Sequence, residues 1–479
     1  MFNSEIFYKV SYEMITCNLN TNSKNPLYMQ LYSFIKHEIE SGNMGCGEKL
    51  PSKRALAAHL KISVITVETA YAQLLAEGYI ISKPGSGFYV ESLAEKNKVS
   101  SSLKVSETAT DTMPIQYDFR TNRIDTSDFP FSTWAKLSRE VLSEQSADLL
   151  NACHHQGILA LRNEIASYLK EFRGMTVVPE QIVVGAGSEY LTGLIIQLLG
   201  RDNAYGVENP GYSKIYEIFS ANTSRVFPIP MDEKGASAVA ITGFGINVLH
   251  ITPSHHFPLG IVMPVSRRQE LLQWANSRED RYIIEDDYDS EFRYAGRPIP
   301  TLQSMDNNGK VIYINTFTKS LAPSMRISYM VLPKQLCGKF TSRLGFYSCT
   351  VPVFEQLTLA KFMEKGYFDR HINRMKKIYR QRRDILCKKI SESKLGDFVK
   401  ISGCDAGMHL LLTVGNGMKH NELIANATSE GVRVYGLSEY YSFPVSNIPE
   451  NIVIAGFSGL NEQQLILGAE ALERAWTNK

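Results

Sequence analysis

The chain lacks a surplus of either charge. Lys and Arg total 51 against 49 Asp and Glu, a net charge of +2, so no global positive field draws it to nucleic acid and any basic footprint has to be local. Cysteine is sparse. The seven residues, at 17, 46, 153, 337, 349, 387 and 404, are scattered, odd in number and without paired metal-ligand spacing, which argues against a disulfide scaffold and fits a reducing compartment. Long apolar runs are missing too. The N-terminus carries Glu5, Lys9 and Glu13 rather than the apolar core of a signal peptide, and the most apolar segment, Leu191 to Leu199, is too short to span a bilayer. A cytoplasmic protein without a membrane partner is expected. No internal repeat or low-complexity tract organises the 479 residues, a length that allows two or three domains and a large core.

What is present centres on one stretch. Val311 to Phe317 is apolar and β-branched without alternation, the pattern of a strand buried on both faces, and it ends in Thr318-Lys319. Lys319 therefore stands where buried strand gives way to loop. A lysine there is costly unless its amine is neutralised, paired or used covalently, and Schiff-base chemistry needs such a lysine. Arg326 follows one short loop later and, with the hydroxyls of Thr316, Thr318 and Ser320, makes a set able to hold a dianionic phosphate. Upstream, Arg281 to Tyr288 is a second buried-strand pattern that ends in acids. Asp286 is placed to keep a pyridine nitrogen protonated, and Tyr288 to hydrogen-bond a ring hydroxyl. A phosphate and an aldehyde on one ligand point to pyridoxal 5'-phosphate. Taken singly, Lys319 reads as a snorkelling surface charge; the acid, tyrosine, lysine and arginine together are far more specific.

Residues 1–92 read as a unit of their own. Leu27, Leu31, Phe34, Ile35 and Ile39 follow helical spacing up to Gly42; Ser52 caps a second helix with Leu56, Ala57 and Leu60 inward; Ser63 caps a third that turns Val67, Ala70, Tyr71, Leu74 and Leu75 inward and stops at Gly78. Two short strands flank Lys83-Pro84-Gly85-Ser86-Gly87, which is hairpin chemistry. Three helices and a hairpin make a winged helix-turn-helix. Its third helix, from Ser63, is expected in the major groove of double-stranded DNA, with Lys49, Lys53, Arg54 and Lys61 neutralising phosphates beside it; for each basic residue alone, a solvated helix face is as good an account. The stretch LPSKRALAAHLKISVITVETAYAQLLAEGYIISKPGSGFYV resembles the winged-helix head of the GntR family of bacterial repressors. The resemblance implies DNA contacts for Arg54, Thr66 and the wing around Gly85 and Gly87. Many members have arginine directly after the serine that opens the recognition helix; here Val64 stands in its place, and valine makes no bidentate contact to guanine or phosphate.

Residues 93–114 are polar and aperiodic, a flexible linker with a reach of roughly 25 to 30 Å. From 115 to 479 strands alternate with helices, the pattern of an α/β layer architecture with a mostly parallel sheet. Within it, Gly185-Ala186-Gly187-Ser188-Glu189 joins a short strand to an apolar helix, where backbone amides approach a phosphate, although such a glycine pair is more often only a tight turn. Tyr212, after Glu208-Asn209-Pro210-Gly211, is a residue able to stack on a planar ring.

These pieces resemble the fold type I aminotransferases over residues 115–479, and head plus body resemble the MocR/GabR-like subfamily of GntR transcription regulators. The matching stretches are LRNEIASYLKEFRG after Gly157, PEQIVVGAGSE, ENPGY, TPSHHFPLG, IIEDDYDSEFRY and NTFTKSLAPSMRISYMVLP. The resemblance implies that Lys319 is the aldimine lysine, Asp286 the partner of the pyridine nitrogen, Tyr288 the ring-hydroxyl donor and Tyr212 the stacking residue. Gly187, Ser188, Thr318 and Arg326 would form the phosphate cradle. It further implies a DNA-binding regulator that senses an amine, an amino acid or a B6 compound, acting on operator DNA as a head-to-tail homodimer. Lys214 and Arg433, each near a motif bordering the pocket, are candidates for an effector carboxylate. Two other function classes stay open: an active aminotransferase with an appended head, and a repressor whose body is only a scaffold. There are departures. Phe257-Pro258-Leu259-Gly260 stands where the enzymes present Asn-Pro-Thr-Gly, and Asn315 and Ser328 replace common glycines, which is expected to tighten the phosphate cup. His154, His155, His255 and His256 supply no metal-ligand spacing, and no metal is expected.

Overall fold

The computed structural model describes residues 15–21, 23, 25–92, 114–121, 123–144, 147–294, 299–445 and 447–477. Its contacts divide the chain into two compact units, 1–110 and 111–479. The expected linker, 93–114, lies almost wholly outside the described residues.

In the smaller unit three helices, α1 (Leu27–Ser41), α2 (Lys53–Leu60) and α3 (Val64–Ala76), precede a hairpin of β1 (Ile80–Lys83) and β2 (Gly87–Val90). Helix α1 stops at Gly42, which takes the left-handed conformation at φ 82°. The Ser52 hydroxyl accepts from the Ala55 amide at 3.2 Å and the Ser63 hydroxyl from the Thr66 amide at 3.1 Å, so both expected caps form. Between them Lys61 turns the chain at φ 54°. Leu31, Ile35, Leu56, Val67, Tyr71 and Leu74 are buried against one another in a core that belongs to this unit alone. Leu75 corrects the reading: it is 41% exposed, because the apolar arc of α3 is already filled by Val67, Ala70, Tyr71 and Leu74.

The larger unit is built on an eight-stranded sheet. In chain order its strands are β3 (Ile182–Gly185), β4 (Tyr205–Asn209), β5 (Val226–Asp232), β6 (Gly235–Ala236), β7 (Val248–Ile251), β8 (Tyr282–Asp286), β9 (Val311–Thr316) and β10 (Ser328–Val331). They lie in the order β3-β10-β9-β8-β7-β4-β5-β6. The long central strands are parallel, while β10 runs against β9 and β3, and the edge strand β6 against β5. Strands β3, β4, β7 and β9 are buried along their whole length, as expected when helices cover both faces. Tyr117–Asp118 pairs in parallel with Val432–Arg433 in a two-stranded sheet, which ties the start of the unit to its C-terminal part. Among the described residues no helix is long and apolar enough to cross a membrane.

Candidate functional site

Parallel strands bring their carboxyl ends to one edge of the sheet, the place where open α/β sheets present binding residues. Asp286 ends β8, and its register partner Ile314 lies two residues before the end of β9 at Thr316. Lys319 follows on a single helical turn, Phe317–Ser320, rather than in a loop. Thr316 caps that turn by accepting from the Thr318 amide at 3.1 Å. A hydroxyl chain, Ser328 to Thr316 to Thr318, with both links at 2.8 Å, fixes the Thr318 side chain. Ser328 thus joins the hydroxyl network under Thr318, while the Asn315 side chain accepts from the Thr316 amide and donates to the Tyr313 hydroxyl at 3.0 Å.

Lys319, Asp286, Tyr288, Tyr212, Arg326, Gly187, Ser188 and Thr318 line a single cavity of about 210 Å³. Burial pushes the Lys319 amine down to about 8, although Asp289 and Asp286 pull the other way, which leaves a much larger neutral, nucleophilic fraction than an exposed lysine has. At the phosphate end, Gly187 holds φ 101° and sits so close to the Arg326 guanidinium that any side chain there would collide with it. Helix Ser188–Leu199 starts beside it, and its first residues, Ser188 and Glu189, line the cavity, an end of the helix that favours an anion. Lys214 belongs to this end too, its ammonium 2.7 Å from Glu189, whose other oxygen is paired with Arg326. At the opposite end His250 stands 3.5 Å from Asp286. The Tyr288 hydroxyl lies 3.2 Å from Nδ1 of His255, which is itself 2.8 Å from the Asp289 carboxylate. These residues suit pyridoxal phosphate: a cation-rich cup free of side chains at Gly187, an amine held partly neutral, and a buried acid across from it.

Several lining residues escaped the sequence reading. Glu208 is buried beside Asp286, accepts from the amide and hydroxyl of Thr252 at 3.0 and 2.7 Å, and has its carboxyl pushed by burial up to about 8. It and His250 are the polar interruptions of two buried strands, which is the signal that was available. A second cavity of about 540 Å³ shares Lys319, Tyr212 and Phe257 with the first and adds Arg120, Arg123, Tyr435 and Tyr440. Arg433 is not part of either; it is exposed on its short strand, over the ring of Tyr435, and lines a different hollow. Asp287, next to Asp286, points away from the cavity, where Arg173 meets it at 2.7 Å. Among the described residues no three His, Cys, Asp or Glu side chains are grouped to hold a metal ion.

In the smaller unit Ser63 and Thr66 open α3, their hydroxyls 2.8 Å apart, and Val64 and Ile65 beside them are 42% and 73% exposed. Exposed apolar side chains at the head of a recognition helix suit the methyl groups of thymine. Arg54 and Lys61 are exposed. Lys53 is committed to Glu68 of α3 at 2.6 Å. Lys49 bridges to Tyr89 on the wing, whose turn carries Gly85 at φ 72° and Gly87 at φ 113°.

A winged helix-turn-helix joined to a body with this pocket at its sheet edge defines a DNA-binding regulator built on the fold type I pyridoxal phosphate scaffold. Residues 27–90 match the model "Bacterial regulatory proteins, gntR family", and residues 114–465 match "Aminotransferase class I and II". The chain is 41% identical to an HTH-type transcriptional regulator of Bacillus subtilis, YdeL, over 96% of this chain and 99% of that one. It is 32% identical to the probable rhizopine catabolism regulatory protein MocR of Rhizobium meliloti, covering 96% and 95%. Among solved structures, the multiple substrate aminotransferase of Thermococcus profundus superposes with a TM-score of 0.66 at 26% identity, covering 80% of this chain and 95% of that one. The chain belongs to the MocR/GabR-like subfamily of GntR transcription regulators.

Buried titratable groups give the body a pH optimum. Burial lowers His256 and His409 to about 3 and His371 to about 4. Below about pH 6.5 the unfolded chain takes up protons that these folded histidines refuse, so stability falls with acid. Glu208, Glu285 and Glu291 are pushed up to about 8, 7 and 7. The folded chain keeps these protons while the unfolded chain releases them above about pH 4.5, so that contribution is lost between about pH 4.5 and 8. The two sets offset one another between about pH 4.5 and 6.5, so the unfolding midpoint in urea is expected to be highest near about pH 5 to 6 and to drop on both sides. A midpoint that climbs steadily to pH 9 would contradict it.

Proposed function

We propose that the body of this regulator holds pyridoxal phosphate through Lys319 and that a competing amine alters the grip of the head on operator DNA. The observation that carries the reading is the convergence of Lys319, Asp286, Tyr288, Tyr212, Gly187, Ser188, Thr318 and Arg326 on one cavity. Bound there, the cofactor supplies an aldehyde that amines capture and a ring that draws electrons when its nitrogen is protonated. Lys319 provides the amine, Asp286 favours the protonated ring, Tyr212 covers a face, and Arg326 with the Ser188 helix terminus receives the phosphate. Lys319 has to hold the aldehyde reversibly, so that an amine from outside competes with it.

Lys214 is engaged by Glu189 and Arg433 stands apart, whereas Arg120 and Arg123 line the cavity that opens beyond Lys319. Two guanidiniums and an aromatic wall favour an amine with an anionic tail. A head-to-tail homodimer that places two heads on paired half-sites fits the same reading.

The test uses a duplex selected by the purified chain from random sequence. With pyridoxal phosphate present, ω-amino carboxylates or sulfonates are expected to change DNA affinity by roughly 5- to 150-fold, the usual span of allosteric coupling. Uncharged alkylamines of equal length should change it far less, and a chain carrying Arg120→Gln and Arg123→Gln should lose the distinction. Identical DNA affinity with and without cofactor and amine would leave the body a scaffold.

A further inference from the structure

Glu189 is the unexpected member of the pocket. It lies in the first turn of the Ser188–Leu199 helix and is bound on one oxygen by Lys214 at 2.7 Å and on the other by Arg326. Burial works against its charge, yet the hydrogen bonds from Lys214 and Arg326 outweigh it and hold the carboxyl below its ordinary value. It is therefore a carboxylate at neutral pH. A first-turn acid with two cationic neighbours is favourable by itself, because the helix terminus attracts negative charge. What sets it apart is the identity of those neighbours. Arg326 is the guanidinium that closes over Gly187, and Lys214 lines the same end of the cavity.

On the reading that this cavity takes pyridoxal phosphate, we propose that Glu189 competes with the phosphate group for Lys214 and Arg326 and so weakens the pocket for phosphorylated pyridines. Two cations and one carboxylate leave a single net positive charge to meet a phosphate monoester that carries close to two negative ones at neutral pH. Either the carboxylate stays, and repels the phosphate across a few ångströms, or it rotates away and forfeits two charge-assisted hydrogen bonds. Both routes lower affinity for the phosphate and neither touches the aldehyde. An enzyme that must keep its cofactor has no use for such a competitor. A regulator whose occupancy is to follow the supply of the phosphorylated compound does, because occupancy reports concentration only when affinity lies near that concentration.

The test compares pyridoxal phosphate with pyridoxal, which has the aldehyde and ring but no phosphate, by absorbance titration of the full chain and of Glu189→Gln. The substitution is expected to tighten pyridoxal phosphate about tenfold, equivalent to about 1.4 kcal/mol, and to leave pyridoxal unchanged. Inorganic phosphate should raise the melting temperature of Glu189→Gln more than that of the wild type. Lys214→Gln is the companion: it is expected to weaken pyridoxal phosphate and spare pyridoxal, and it keeps the question answerable if the glutamine chain misfolds. Equal or weaker binding of pyridoxal phosphate by Glu189→Gln, or a parallel gain for pyridoxal, overturns the inference and leaves the cofactor reading standing. Failure of either compound to be captured by either chain overturns both.

Discussion

Lys319→Ala, incubated with pyridoxal phosphate and passed over a desalting column, is expected to emerge without the visible absorbance that the wild type retains. Loss of the amine removes the covalent hold and leaves only the phosphate cup, Tyr212 and Asp286, so the apparent dissociation constant should rise at least about a hundredfold, or about 2.7 kcal/mol. The fold should tolerate the change. Burial already disfavours the lysine charge, so deleting it removes a desolvation cost along with some packing. The head should tolerate it too, because Leu31, Leu56, Val67, Tyr71 and Leu74 form a core without any residue of the body. DNA is therefore still bound, and what disappears is the response to amines. Retention of the band by Lys319→Ala would mean that another amine does the holding, and the account of the pocket would fail. Retention of the amine response without the band would separate the effector from the cofactor and sink the coupling instead.

The parts legible in the sequence were those fixed by local rules. Ser52 and Ser63 read as caps because a hydroxyl before an apolar helix has one common use, and both hydroxyls accept the expected amides. Val311 to Phe317 read as a fully buried strand because nothing in it alternates; the strand ends one residue earlier, at Thr316, and all six of its residues are buried. The order acid, tyrosine, lysine, arginine placed four pocket residues before any geometry was known. What stayed hidden depends on pairing across long stretches of chain. Arg120 reaches the pocket mouth because Tyr117–Asp118 pairs with Val432–Arg433, a register no spacing rule contains. Arg433, on the strand that makes this pairing, lines a separate hollow. Among Glu285, Asp286 and Asp287 the sequence pointed to Asp286, but not to what its two neighbours do, since successive strand residues face opposite ways and a run buried on both sides leaves their partners open. In the fold Asp286 lines the cavity, while Glu285 accepts the Leu302 and Gln303 amides at 2.8 and 2.9 Å.

Asp287 carries the second large effect. Its Oδ2 receives the Arg173 guanidinium at 2.7 Å, the Tyr313 hydroxyl at 2.6 Å and the Ser290 hydroxyl at 2.8 Å, and both charged side chains are almost wholly buried. Arg173 comes from the last turn of the helix Leu159–Arg173, so this pair fastens that helix to the strand end that presents Asp286. Removing one partner of a buried pair strands the other charge and typically costs about 3 to 5 kcal/mol. Arg173→Met is expected to lose that much, measured by urea unfolding of the full chain. The two hydroxyls still donate to Asp287, which places the loss toward the lower end. Adding Asp287→Asn should recover most of the loss, since an amide needs no counter-charge and keeps an oxygen for Tyr313 and Ser290. No recovery in the double variant would show that Arg173 contributes packing alone and that the strand end bearing Asp286 is held by other means.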